Sequence, residues 1–213
     1  MGKKIAFTSS EEKIASEAMG KLVNIYGNCA LNEADIIVAL GGDGFMLQTL
    51  HKTQDLSAPV YGMNRGTVGF LMNAYEEKGL LERLERSEEE MLNPLRMEAI
   101  TTNGSIKTAL AINEVSLLRA GPQAAKLSIS VDGKTRMSEL ISDGVLLSTP
   151  AGSTAYNYSA TGPILPIGSD VLALTALNAF RPRRWRGALI PKKSNVEVIV
   201  LEPDKRPMMA DAD

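Results

Sequence analysis

The stretch ADIIVALGGDGFMLQTL, residues 34–50, constrains the fold more than any other. Residues 35–40 are apolar throughout their interior and end abruptly in Gly41-Gly42-Asp43-Gly44. A run without polar alternation fits a strand buried on both faces, as in a parallel sheet covered by helices. From Phe45 to Lys52 the spacing turns helical through Met46, Leu47 and Leu50. A strand that stops at glycines and restarts as a helix makes a crevice at the carboxyl edge of the sheet, where open α/β folds bind ligands.

The flanking sequence continues the alternation. Residues 4–7 predict a short strand. Ser9 or Ser10 is expected to cap a helix in which Ile14, Ala18, Leu22 and Ile25 recur at helical spacing. Met19, Val23 and Tyr26 widen that stripe, and Gly27 is its stop signal. Residues 59–62 predict another strand, and residues 76–91 a polar helix with Leu80, Leu81, Leu84 and Met91 facing inward. Strands separated by helices imply right-handed βαβ units. After Pro94 the texture becomes β. Strands are expected at 96–101, 106–112, 115–119, 126–131, 144–148 and 195–201, with turns at Asn103-Gly104 and Asp132-Gly133. The fold class read from this is an α/β N-terminal domain with a parallel sheet, residues 1–94, and a β-rich, sandwich-like C-terminal domain, residues 95–213.

Composition removes several kinds of function. A net charge of -2 argues against a dedicated nucleic-acid binder, whose footprint is basic. No apolar run approaches the ~20 residues that cross a bilayer, and MGKKIAFTSSEE lacks the apolar core of a signal peptide. A cytoplasmic protein with no membrane partner is expected. Cys29 and His51 are the single cysteine and histidine, so neither a disulfide within the chain nor a Cys/His zinc site can form. Gly152-Ser153-Thr154-Ala155 is not a G-x-S-x-G nucleophile elbow. The acidic run Glu88-Glu89-Glu90 reads as solvated helix surface; the basic run Arg181–Arg186 could sit near phosphates or at a subunit contact, but the preferred reading is a solvated loop with Trp185 half buried.

The chemistry therefore rests on the glycines and their aspartate. Gly41 and Gly42 let backbone approach a phosphate or ribose, and a helix starting after Gly44 aims amide hydrogens at an anion. Asp43 is itself an anion. It would repel a bare phosphate, yet it can accept a proton from a hydroxyl or hold a magnesium ion. The motif thus fits attack by a hydroxyl on a phosphoryl group. The bland alternative is a tight turn in which Asp43 caps the next helix. Neither a P-loop nor G-x-G-x-x-G is present, and Gly62, Gly66 and Gly69 are spaced by four and three.

Three more segments follow in order: GMNRGTVGFL at 62–71, NEVSLL at 113–118, and SDGVLLSTPAGSTAYNYSATGPIL at 142–165, where Ser153 or Thr154 is expected to open a short helix. With GGDG, and over nearly the whole chain, they resemble the NAD kinase family, which transfers a phosphoryl group to the adenosine-ribose 2′-hydroxyl of NAD to give NADP. The long segment is the most specific, since diacylglycerol and sphingosine kinases carry a similar GGDG. The resemblance implies that Asp43 is the proton acceptor, with Gly44 beside it. It implies that Asn113 and Glu114 hold the dinucleotide and that Asp143 meets its nicotinamide end. Ala151, Thr154, Ala155, Tyr156, Asn157, Tyr158 and Ser159 match the loop and helix start that enclose the substrate. ATP or polyphosphate as donor, a divalent metal (magnesium) bridging its phosphates, and a homo-oligomer, dimer or tetramer, come with the same resemblance. The residue types suit these roles. Carboxylates accept from ribose hydroxyls, an Asn matches the donor and acceptor of an adenine edge, and Tyr156 offers a flat face with a polar tip.

Two rivals stand beside this reading. A GGDG-type lipid kinase would need an apolar mouth, which the small polar residues of 142–165 do not supply. A non-catalytic dinucleotide sensor could use the same scaffold. Two departures from the family pattern also matter. Phe45 stands where many members have a small hydroxyl residue after GGDG, so a hydroxyl contact to the donor is not expected there. The chain stops at MMADAD, where the family continues into further strands and a tail that returns to the first domain, so a chain without that tail is expected.

Overall fold

The computed structural model describes residues 3–66 and 69–213. Thr67 and Val68, inside the glycine-rich segment 62–71, lie outside the described residues. The chain divides into two units, Met1–Glu89 and Glu90–Asp213.

In the first unit β1 (Ile5–Ser9), β2 (Ile36–Gly41) and β3 (Val60–Asn64) form a parallel sheet in that order. The connections are α1 (Lys13–Tyr26) and α2 (Asp43–Thr53), and α3 (Leu80–Arg86) follows β3. Every residue of the central strand β2 is buried, which is why its sequence has no polar alternation. Phe7, Val38, Leu40 and Met63 of the sheet pack with Ala18 and Leu22 of α1 and with Leu80 and Leu84 of α3.

Three details differ from the sequence reading. Neither Ser9 nor Ser10 caps α1: its N-cap is Glu12, without a side-chain bond, and Ser9 ends β1. The buried face of α1 is Ala15, Ala18 and Leu22, flanked by Met19, Val23 and Tyr26, while Ile14 and Ile25 are exposed. At about 100° per residue both isoleucines lie on the flank of that stripe. The helix expected over 76–91 is only Leu80–Arg86, with Leu81 and Met91 exposed. Gly79 takes a left-handed φ of 69° just before it, and Ser87 is extended just after. Three consecutive glutamates beyond the C-terminus also oppose the helix dipole, which favours cations there. The Tyr26 hydroxyl supplies the missing cap, accepting the Leu80 N–H at 3.2 Å and donating to the Glu77 carbonyl at 2.9 Å.

The second unit holds β4 (Leu95–Ile100), β5 (Ile106–Ala111), β6 (Glu114–Arg119), β7 (Ala125–Val131), β8 (Lys134–Ser142), β9 (Gly144–Ser148), the short α4 (Tyr156–Ser159), β10 (Val171–Leu177), β11 (Gly187–Pro191), β12 (Val196–Val200) and β13 (Met208–Ala212). One sheet has the order β11-β10-β9-β6-β13 and a second the order β12-β7-β8, while β4 and β5 make a hairpin. All pairings here are antiparallel. Leu127, Ile129 and Leu140 of one sheet share a core with Val145, Leu174 and Ala176 of the other. Two sheets facing one core make this unit sandwich-like. Asp132 and Gly133 both have positive φ, 52° and 73°, which is the turn that suits a tight hairpin between β7 and β8.

Candidate active site

In the first unit, α2 begins at Asp43, two residues before the helical pattern becomes visible in the sequence. Asp43 does not cap its own helix, so the bland turn reading fails. Its carboxylate reaches across to the glycine-rich segment instead. Oδ2 accepts the Phe70 N–H at 2.8 Å and Oδ1 accepts the Leu71 N–H at 3.1 Å. The Arg65 N–H donates to the Gly41 carbonyl at 2.8 Å, so Arg65 on one side and Phe70 and Leu71 on the other stand against GGDG.

The glycines here have different causes. A Cβ on Gly69 would stand 2.5 Å from Asp43 Oδ1, and one on Gly41 would stand 2.7 Å from Phe45 Cβ. Both are required by the protein's own packing. A Cβ on Gly42 or Gly44 would meet nothing within 4 Å among the described residues, so their packing does not demand glycine at either position. Ser10, at the same strand edge, gives its N–H to the Leu40 carbonyl at 2.9 Å and leaves its Oγ buried without a partner. That hydroxyl, expected from the sequence to cap α1, caps nothing. His51 sits half buried in the last turn of α2.

In the second unit, Asn113 is buried and Glu114 opens β6. The Asp213 carboxylate accepts both backbone amides: Asn113 N–H at 2.9 Å to each oxygen and Glu114 N–H at 3.0 Å. The Asn113 carbonyl accepts the Thr149 N–H at 2.9 Å, and a Cβ on Gly152 would stand 2.2 Å from it. The backbone of this corner is thus fixed, while two side-chain atoms, Asn113 Oδ1 and Glu114 Oε2, are buried with no partner. Burial first, then the charges of Asp213 and Asp211, push the Glu114 carboxyl up to about 7.

The segment after β9 turns through a 3₁₀ helix, Ala151–Thr154, with Ala151, Gly152 and Ser153 buried. Thr154 and Ala155 lie at the end of this turn, both partly exposed. Neither Ser153 nor Thr154 opens α4, whose N-cap is Ala155. Ser153 Oγ is instead spent inside, 2.7 Å from the Pro150 carbonyl and accepting the Leu165 N–H at 2.9 Å. Asn157 is fully buried and its amide is fully used. Nδ2 donates to the Ser153 and Pro163 carbonyls, and Oδ1 accepts the Thr175 hydroxyl at 2.6 Å. Tyr156, Tyr158 and Ser159, by contrast, are exposed, which removes the core-packing explanation for both tyrosines.

Asp143 immediately precedes β9. Asn178 Nδ2 donates to Oδ2 at 2.9 Å and Arg119 Nε to Oδ1 at 2.6 Å, and these bonds, Asn178's first, hold its carboxyl below the usual range. A cleft of about 360 Å³ brings Asp143, Tyr156 and Ser159 together with Arg184, Trp185 and Arg186. The basic run is therefore a wall of the cleft as well as a solvated loop. A tryptophan set among its arginines was the available signal. Asn113 and Glu114 lie elsewhere: Glu114 pairs with Ser148, at the end of β9 opposite Asp143. Among the described residues, no group of three or more His, Cys, Asp or Glu side chains is placed to hold a metal by itself. Nor is any helix among them long and apolar enough to cross a membrane.

Residues 2–90 match the pattern of the ATP-NAD kinase N-terminal domain, and residues 112–213 that of the ATP-NAD kinase C-terminal domain. The chain belongs to the ATP-NAD kinase family. Its curated relatives include the NAD kinase of Cereibacter sphaeroides, 67% identical over 210 residues, which are 99% of this chain and 83% of the relative. The NAD kinase of Caulobacter vibrioides is 57% identical, over 99% of this chain and 81% of its own. Among solved structures, yeast NADH kinase complexed with NADH superposes with a TM-score of 0.79 at 21% identity, over 99% of this chain and 75% of that one. An NAD kinase from Archaeoglobus fulgidus in complex with ATP gives 0.75 at 24%, over 99% and 84%. These two share the fold: a parallel α/β unit and a β-rich unit. Membership in the family makes the chain an NAD kinase, an enzyme that phosphorylates NAD to NADP with ATP as donor.

Proposed function

We propose that Asp43 is the proton acceptor for the adenosine-ribose 2′-hydroxyl of NAD, and that the second unit holds the dinucleotide along β9. The unpartnered oxygens of Asn113 and Glu114 carry this reading. A buried acceptor without a donor costs roughly 1–3 kcal/mol, and a ribose hydroxyl and an adenine amino group are the donors that would remove that cost. The backbone beneath them is pinned by Asp213, so the acceptors are pre-positioned. Asp143 stands at the far end of the same strand, a separation on the order of 17 Å for five residues. That suits the two ends of one extended dinucleotide, with a carboxamide donating to Asp143. Tyr156 offers its face, Ser159 and Thr154 their hydroxyls, Tyr158 its exposed ring, and Ala151 and Ala155 small walls. Asn157 acts as a positioning residue, because its own amide is already satisfied.

Asp43 suits its role because two backbone donors orient the carboxylate without exhausting it. An ionised carboxylate has about four lone-pair directions, and two are taken. Magnesium carried by the donor's phosphates would neutralise charge developing on them. Asp43 is the carboxylate of the first unit that would hold it, and the open space at Gly42 and Gly44 leaves room for phosphate beside it. Polyphosphate presents the same charged groups as the ATP tail and belongs in the donor panel. A cytoplasmic enzyme is consistent with both substrates. The exposed Ile100–Ile106 pair of the β4–β5 hairpin favours an oligomer, dimer or tetramer, which light scattering measures.

The deciding assay offers NAD, 2′-deoxy-NAD and dispersed diacylglycerol in parallel with labelled ATP and magnesium. Label should enter NAD alone. Label in the lipid and not in NAD would overturn the reading.

A further inference from the structure

We propose that Arg184 and Arg186 are the phosphate-binding groups of the cleft beside Asp143, and that they take the phosphate of the dinucleotide's nicotinamide mononucleotide half. This rests on the reading of Asp143 as the residue that meets the nicotinamide end.

The basic loop is built rather than loose. At its start Arg181 and Ile141 exchange backbone bonds of 3.1 and 2.8 Å, two residues before Asp143. At its end the Ala176 N–H donates to the Arg186 carbonyl at 3.2 Å. Between them Trp185 packs on the core shared by the two sheets, so the arginines on either side are presented by an anchored residue. Arg184 has a left-handed φ of 61°, an uncommon conformation for a residue with a side chain. The surrounding anchors impose it, and such positions concentrate at binding sites.

Charge makes the cleft selective. Its acid, Asp143, is already matched by Arg119 and Asn178. Arg184 and Arg186 form no ion pair among the described residues. Two uncompensated guanidinium groups therefore line a space of about 360 Å³, within the range of small-molecule sites. A guanidinium fork matches a phosphate bidentately. A mononucleotide complements the remainder: its carboxamide donates to Asp143, its ring meets Tyr156, and its ribose meets the Ser159 hydroxyl.

The test is equilibrium binding of nicotinamide mononucleotide, nicotinamide riboside and ATP to the full chain. The variants are Arg184→Gln, Arg186→Gln, Arg184→Lys and Arg183→Gln, each checked for an unchanged melting curve. Either glutamine variant at 184 or 186 should weaken the mononucleotide about tenfold or more and flatten its salt dependence. The riboside, which lacks the phosphate, should bind as to the parent. Arg184→Lys should keep part of the affinity, and Arg183→Gln, whose side chain is not part of the cleft wall, all of it. Equal losses for mononucleotide and riboside, losses confined to ATP, or no loss would overturn the proposal. Arginine-dependent mononucleotide binding without NADP formation would sink the kinase reading alone. NADP formation with arginine-independent binding would sink this inference alone.

Discussion

Asp43 follows the buried strand β2 and Glu114 opens the partly buried strand β6, and the protein treats these two carboxylates in opposite ways. Asp43 is met by two backbone amides, one on each oxygen. Glu114 gets none for its buried oxygen and faces two further carboxylates, Asp211 and Asp213. The first arrangement completes a charged group and aims it. The second leaves a group strained until something donates to it. We read the oriented carboxylate as the reacting group and the unpartnered one as the substrate acceptor, because a proton acceptor must be aimed before its substrate arrives and a free acceptor is what a donor on the substrate pairs with.

The largest effect expected from breaking the contrast is at Asp43. Asp43→Asn should lower kcat by about 100- to 10,000-fold, the usual contribution of a general base. NAD affinity should stay within a few-fold of the parent, because recognition is assigned to the other unit. Turnover close to the parent's would remove the base. The glycines sharpen the point. Gly69→Ala places a methyl 2.5 Å from Asp43 Oδ1 and must move it, and a misplacement of ~1 Å can cost about 100-fold. Gly42→Ala meets nothing within 4 Å among the described residues. It should melt with the parent, and any fall in kcat/KM then measures crowding of the donor. A destabilised Gly42→Ala protein would show that the glycine serves the fold instead.

Next in size is recognition. Glu114→Ala should weaken NAD by about 10- to 100-fold, the worth of a hydrogen bond to a charged group, with a smaller change in kcat. Calorimetry that finds unchanged affinity would contradict the assignment, whatever happens to turnover.

How much of this was legible in the sequence depended on what each residue touches. β2 was plain because complete burial writes an uninterrupted apolar run. β9 was recovered to its ends for a similar reason. β8, β10, β11 and β13 were not read. Lys134–Ser142 carries charges along much of its length, and Val171–Leu177 is a buried run that periodicity cannot tell from helix. GGDG announced that Asp43 mattered, yet not that Phe70 and Leu71 would hold it, since contacts between distant residues leave no local spacing. Asn157 illustrates the converse. Its place in the long motif was plain, but only the Thr175 and Pro163 bonds reveal that it holds the loop. Asn178 went unread as a site residue, and Arg184 and Arg186 were weighed beside phosphates but set below a solvated loop, because a charge run usually means solvent.

The smallest expected effect is the dependence of stability on pH, and it tests Glu114 without any activity. Its carboxyl titrates near 4.5 when unfolded and at about 7 when folded. Between those values the folded state holds the extra proton, so raising pH favours unfolding. The penalty is absent below the unfolded value and complete above about 7. Its size is on the order of 2 kcal/mol once partial solvent exposure is discounted. Glu114→Gln cannot ionise, so the stability difference between variant and parent should widen as pH rises from 5 to 8 by roughly that amount. Comparing the two proteins cancels the other titrating groups. NAD should act in the opposite direction. A ribose hydroxyl donates best to the ionised carboxylate, so affinity should rise through this window and binding should release a proton. Denaturant melts at both pH values, with and without NAD, read the two effects together. A parent–variant difference that does not change with pH would mean that Glu114 is solvated and ionised throughout, and the contrast with Asp43 would collapse.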